Sequence, residues 1–134
     1  MLDSMYLVGY IKSERLKRLK EDAKQIAVYF YRTPAGAELV KDWLKSLSAA
    51  DRQVLGRDLR LVEFGWPVGM PLCRPLGGGL WELRSSLSGN RIARVIFCAA
   101  RGRMILLHGF IKKTQKTPQS ELQLARARQR EVET

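Results

Sequence analysis

Eight fixed positive charges share one stretch of this chain with no carboxylate among them. From Leu83 to Ser120 there is no Asp or Glu, while Arg84, Arg91, Arg94, Arg101, Arg103, Lys112, Lys113 and Lys116 all fall inside it. A solvated face ordinarily mixes signs, so such segregation points to an anion as partner. Arginine forks match phosphate oxygens two at a time, and lysines add mobile point charge. The only histidine of the chain, His108, lies in the same stretch and is the group suited to exchange a proton near neutral pH. No cluster of carboxylates is present to hold a catalytic magnesium ion or a two-metal centre. RNA can be cut without one, because its 2′-hydroxyl can attack the adjacent phosphate. The protein must then align that attack, accept one proton, stabilise the added negative charge and protonate the leaving oxygen.

Each of these residues also has a plainer reading. Arg84 can pair with Glu82, two positions earlier on one strand face. Arg94 can snorkel from a strand, the lysines can serve solubility, and a lone strand histidine can be structural. Taken together, on adjacent strands of an acid-free segment, they favour an anion site. On this reading Arg94→Ala removes function and leaves folding nearly intact.

The totals agree with a polyanionic partner. Twenty-four Lys and Arg against thirteen Asp and Glu leave a formal charge of +11 over 134 residues, with a pI near 10.2. At this length one domain with a real core is expected. Cys73 and Cys98 show no metal-ligand spacing and His108 alone cannot complete a zinc site, so no cofactor or metal is expected. The apolar run from Met5 to Ile11 is too short to span a membrane and lacks the flanks of a signal peptide. A cytoplasmic protein with reduced cysteines follows.

The elements that must position the charges can be read in order. Ser13 to Gln25 has helix formers with interleaved charges, extending a helix begun near Tyr6. Ile26 to Tyr31, β-branched and aromatic, reads as a strand. Thr33 followed by Pro34 reads as a helix start, with Val40, Trp43, Leu44 and Leu47 on one stripe. Ser48 and Asp51 resemble a capping box for a second helix to about Phe64, its apolar side Leu55, Leu59 and Val62. These two helices form an αα-hairpin. Gly65 to Gly79 is a loop by composition. Three strands follow, Leu80–Arg84, Arg91–Cys98 and Arg103–Ile111, joined by short connections that make them antiparallel. Alternation places Arg94 with Ile92 and Ile96, and His108 with Leu106, Phe110 and Lys112. Thr117-Pro118 opens a C-terminal helix. The expected fold is α+β: an antiparallel sheet of about four strands, an αα-hairpin packed on one face, a C-terminal helix and an extra N-terminal helix.

LWELR, then RVIF, then LLHGFIKKTQKTP before an Ala- and Arg-containing helix resembles the RelE/ParE toxin superfamily, most closely its HigB-like, phage-derived branch. The resemblance runs from Ile26 to the C-terminus. It divides the chain into an N-terminal helical extension (1–25) and a RelE/HigB-like toxin domain (26–134). It implies the toxin of a type II toxin–antitoxin system: a ribosome-associated, metal-independent messenger RNA endoribonuclease that inhibits translation. Its implied partners are the ribosome, messenger RNA and a cognate antitoxin of helix-turn-helix, HigA-like type. By position, Arg84 is similar to the first basic residue of the RelE-type site and Arg94 to its central phosphate-stabilising arginine. Lys112 or Lys113 is similar to the basic residue after the last strand, and His108 falls near positions where some HigB-like members place functional groups. The implied catalytic set is therefore Arg84, Arg94, His108, Lys112 and Lys113, with Arg74, Arg91, Arg103 and Lys116 holding RNA. The RelE-type site also uses a tyrosine in its C-terminal segment, whereas no tyrosine follows Tyr31 here. Two other classes stay open: a ParE-like toxin that inhibits DNA gyrase, and a phage-derived nucleic-acid-binding protein without catalysis.

Overall fold

The computed structural model describes residues 24–113 and 115–133. The helical extension expected over 1–25 lies, but for its last two residues, outside the described residues. At the centre is the strand β4 (Ile92–Ala100), flanked by β3 (Leu80–Ser86) and β5 (Arg103–Lys112), both antiparallel to it. The β4–β5 connection is two residues, Arg101 and Gly102, at φ 54° and 73°. Two left-handed residues give a turn whose twist matches that of the strands it joins. Between β3 and β4 a short 3₁₀ turn (Ser88–Asn90) is closed by Leu87 N donating to Arg91 O at 2.9 Å. These pairings follow the expectation from short connections.

The strand expected at Ile26–Tyr31 forms, but the expected sheet of about four antiparallel strands is corrected twice, by how that strand pairs and by a fifth strand. The strand β1 (Ala27–Phe30) pairs with β5 in parallel, and β2 (Cys73–Gly77) pairs antiparallel with β3. The sheet is thus open, mixed and five-stranded, in the order β1-β5-β4-β3-β2. The chain between β1 and β2 crosses the sheet through two helices, and β1 then lies beside the last strand rather than its sequence neighbour. Residues 73–77, expected as part of a loop, form an edge strand. Such a position tolerates Pro75 because only one side needs ladder partners.

The helices α1 (Leu39–Ser46) and α2 (Ala49–Gly65), joined by Leu47 and Ser48, lie over one sheet face. Val40, Leu55, Leu59 and Val62 are buried there against Ala93, Val95, Phe97 and Met104. Ser48 caps α2 as expected, its Oγ accepting from Asp51 N at 3.2 Å. Thr33-Pro34 does not begin α1. Thr33 instead closes a turn, its carbonyl taking Gly36 N at 2.8 Å and its hydroxyl taking Ala37 N at 3.0 Å. Gly36 at φ 92° is outside helical geometry, so the helix can start only beyond it. A second glycine, Gly109 of β5, lies under α1. A Cβ there would sit 2.4 Å from the Trp43 ring, so the missing side chain is what lets the indole seat on the strand.

On the opposite face lies α3 (Gln119–Glu133), which buries Ala125 with Leu80, Ile96, Leu107 and Phe110 and packs Leu122 and Val132 beside them. Among the described residues no helix is long and apolar enough to cross a membrane. The register of β5 holds one irregularity: Ile96 is opposite His108, but Phe97 is opposite Leu106, leaving Leu107 as the extra residue. This bulge corrects one expected grouping. His108 keeps the face of Phe110 and Lys112, while Leu106 turns to the core under α1 and α2.

Candidate functional site

The face under α3 carries the charges, and cross-strand register brings them together. Arg74 of β2 is opposite Glu82 of β3, Arg84 of β3 is opposite Arg94 of β4, and Arg94 is opposite Phe110 of β5. Lys112 is opposite Ile92, two residues along from Phe110 on the same face. Alternation within each strand therefore sends Glu82, Arg84, Arg94, His108, Phe110 and Lys112 to one side.

Glu82, with no exposed surface, is the centre of this cluster. Its Oε1 lies 3.6 Å from Arg74, 3.6 Å from Arg84 and 3.9 Å from Arg94. These are ion-pair distances rather than hydrogen bonds, and Arg74 Nε, Arg84 Nε and Glu82 Oε1 are buried without one. The other carboxylate oxygen accepts from the Thr117 hydroxyl, which in turn accepts from Arg74 Nη2 at 3.4 Å. Thr117 was expected to cap α3; its side chain instead reaches back to this acid. Arg84 Nη2 donates to the Gln115 side-chain oxygen at 3.0 Å and to its carbonyl at 3.3 Å. The segment after β5 is thus folded onto the arginines.

Exposure grades the cations. Arg94 is fully buried, whereas the side chains of Arg84, Arg74 and Lys112 are 17%, 32% and 41% exposed. Burial pulls the Arg94 guanidinium below its ordinary value; Glu82 opposes that shift, and Arg84 and Arg74 add to it. Phe110 supplies the floor. Arg94 and Lys112 each lie 5.9 Å from its ring centroid, and His108 stacks on it at 5.6 Å. His108 Nε2 is bonded to Glu121 of α3, and its Nδ1 is 3.5 Å from Arg128. Glu121 also lies 3.8 Å from Lys112. His108 is therefore engaged by α3 through both ring nitrogens.

Of the residues named from sequence, Arg74, Arg84, Arg94, His108 and Lys112 meet in this cluster. Lys113 and Lys116 are exposed in the bend that follows β5. Arg91 and Arg103 are placed elsewhere. Arg91 grips Asp51 at the start of α2 with two bonds of 2.9 and 3.0 Å, and also donates to Ser88 O. Arg103 stands at the far end of β5, 5.8 Å from the Tyr29 ring centroid. Glu121, Gln115 and Thr117 escaped the sequence reading as participants, while Glu82 entered it only as a pairing acid for Arg84 and Phe110 only as a face mate of His108. For Phe110 and the two acids a signal was present. Phe110 is in phase with His108 and Lys112, and the two acids are the residues that border the acid-free segment on either side. Segregated along the chain, the charges are mixed again in space.

The arrangement offers a half-exposed row of cations over a buried one, compensated in part by a single internal carboxylate. A phosphate at the rim could take the Arg84 and Lys112 donors while Arg94 raises the positive potential behind them. The family model described as Phage derived protein Gp49-like matches residues 42–130, which includes every residue of the cluster. No curated protein matches the chain closely enough to stand as a relative.

Proposed function

We propose that this chain, which belongs to the phage-derived Gp49-like family and so to the RelE/ParE-like toxin–antitoxin superfamily, is a toxin that cleaves messenger RNA at the translating ribosome. The observation that carries this reading is the register pair Arg84–Arg94, with Lys112 in phase beside it on one sheet face. In this reading Arg84 and Lys112, with Lys113 at the strand exit, hold the scissile phosphate. Arg94 stabilises the charge that builds on it as the 2′-hydroxyl attacks. His108, tied to Glu121, accepts the 2′-hydroxyl proton and delivers a proton to the 5′-oxygen, which leaves as the P–O5′ bond breaks and a 2′,3′-cyclic phosphate forms; the step needs no metal ion. Arg74 and Lys116 steer the strand. The antitoxin, of HigA-like type, covers this surface with an acidic segment, and the toxin is of HigB-like type. The chain acts in the cytoplasm.

The test is to induce the chain in bacteria and map new messenger 5′ ends while following DNA supercoiling. In-frame cuts in translated messages are expected, with growth arrest. Intact messages with failing supercoiling would instead identify a gyrase inhibitor of ParE type. Arg84→Ala removes a rim cation held chiefly by Gln115, and its cutting rate should fall on the order of a hundredfold or more. Full cutting by that variant would take Arg84 out of the mechanism.

A further inference from the structure

Beside the arginine cluster, between α2 and the ends of β3 and β4, lies a cleft of about 440 Å³, a volume in the range of small-molecule sites. Its apolar wall is made by Pro71, Leu72 and Ile92, and Arg84 and Gln115 stand on its border. The remaining polar group of interest is Asp58 of α2, which lines the cleft while being only 7% exposed. Its carboxylate accepts no hydrogen bond among the described residues. The cation beside it is its own neighbour Arg57, whose Nε is 3.5 Å away. The Asp58 oxygens are not among the buried atoms left without a partner; they border the cleft, and beyond the Arg57 ion pair they keep acceptor capacity for a ligand's donors.

We propose that this cleft is a nucleobase subsite that prefers guanine. This rests on the reading above, since Arg84 would hold the phosphate of the nucleotide whose base enters. An ionised carboxylate is acceptor-only, with two oxygens side by side. Guanine presents two adjacent donors on its pairing edge, the ring N1–H and the exocyclic amine, and matches both oxygens at once. Adenine and cytosine offer an amine next to an acceptor, which the carboxylate repels. The base faces meet Pro71, Leu72 and Ile92, as unstacked RNA bases meet apolar or aromatic surfaces in single-strand recognition. Asp58 is thus a specificity-determining group, and Arg84 serves phosphate and base subsite together.

The experiment compares ligands on the unaltered full chain by calorimetric titration with guanosine, inosine and adenosine 5′-monophosphates. Inosine keeps N1–H and lacks the amine, so GMP should bind about tenfold tighter than IMP, the worth of one hydrogen bond to a charged group. AMP should bind more weakly still. In Asp58→Asn, checked for folding by its thermal transition, the GMP-to-IMP ratio should collapse toward one. Equal binding of GMP and IMP by the native chain, or binding of neither, overturns the proposal without any variant. The two readings fail separately. Message cutting with GMP and IMP bound alike sinks the subsite alone; guanine preference with intact messages sinks the nuclease alone.

Discussion

Toward α1 and α2, strand β4 presents Ala93, Val95 and Phe97, each fully buried among hydrocarbon. Toward α3 the same strand presents Arg94 and Ile96, also fully buried, and Cys98. Burial is alike on the two sides; what fills them is not. The first face is closed by shape: Trp43 seats over Gly109, and Trp66 meets Trp81 and Phe97 edge-on at 5.0 and 5.6 Å. The second is closed largely by polar clasps along α3. Gln129 donates to Gly78 O at 2.7 Å, Arg128 to Leu107 O at 2.8 Å and Arg126 to Leu76 O at 3.3 Å. Tyr31 donates to Glu131, and that bond, with burial, raises the phenol above its ordinary value. A face closed by shape responds to volume. A face closed by charge responds to what else is charged nearby, and that is the face on which a polyanion could act.

Breaking each face should give distinct signatures. The largest effect is expected from Glu82→Gln, which leaves Arg74, Arg84 and Arg94 without their shared acid. Removing one side of a buried ionic cluster costs roughly 3–5 kcal/mol, read as the loss in denaturant unfolding free energy. Sulfate should return more stability to this variant than to the parent, because an anion can take the vacated role. Equal gains in both would argue against an anion-competent cluster. On the other face, Gly109→Ala drives a methyl into the Trp43 ring and should cost about 1–3 kcal/mol, with no sulfate dependence. The smallest effect is at the end of that face, in the Asp51–Arg91 pair. Hydrogen bonds from Arg91 hold the Asp51 carboxyl below its ordinary value despite desolvation. Its contribution is therefore complete above the ordinary carboxylate value near 4 and fades as pH falls through the depressed one. Below about pH 4 the thermal midpoint of the parent should drop more steeply than that of Asp51→Asn.

Much of the apolar face was legible in the sequence, because local pattern decides it. The stripe Val40, Trp43, Leu44, Leu47 and the cap at Ser48 depend on neighbours within a turn or two. What escaped depends on partners far along the chain. The strand at Cys73–Gly77 was hidden by Pro75 and three consecutive glycines, a composition that an edge position permits. The parallel pairing of β1 with β5 joins residues more than seventy positions apart and has no local signature. The bulge at Leu107 is invisible to strict alternation, which is why Leu106 was grouped with His108. For the charged face, phase set Arg84 with Glu82 and Lys112 with His108 within their own strands. It took the cross-strand register to bring Arg84, Arg94 and Lys112 to one side, and phase could not tell that Arg91 and Arg103 would be claimed elsewhere. Burial was the other quantity missed. Arg94→Ala, read from sequence as a change of function with folding nearly intact, removes a fully buried side chain that stands beside Glu82 and Phe110. Its loss should therefore be felt in stability too.

Gly109 has one more effect, on which residues can occupy each level of β5. A slip of the strand by a single position would bring either His108 or Phe110 to the level where the Trp43 indole leaves no room even for a methyl. Misaligned pairings are thus rejected by collision, not merely disfavoured by exposure. The bare position acts as an index mark for the last strand, keeping the imidazole and the lysine beyond it from trading sides with the hydrocarbon.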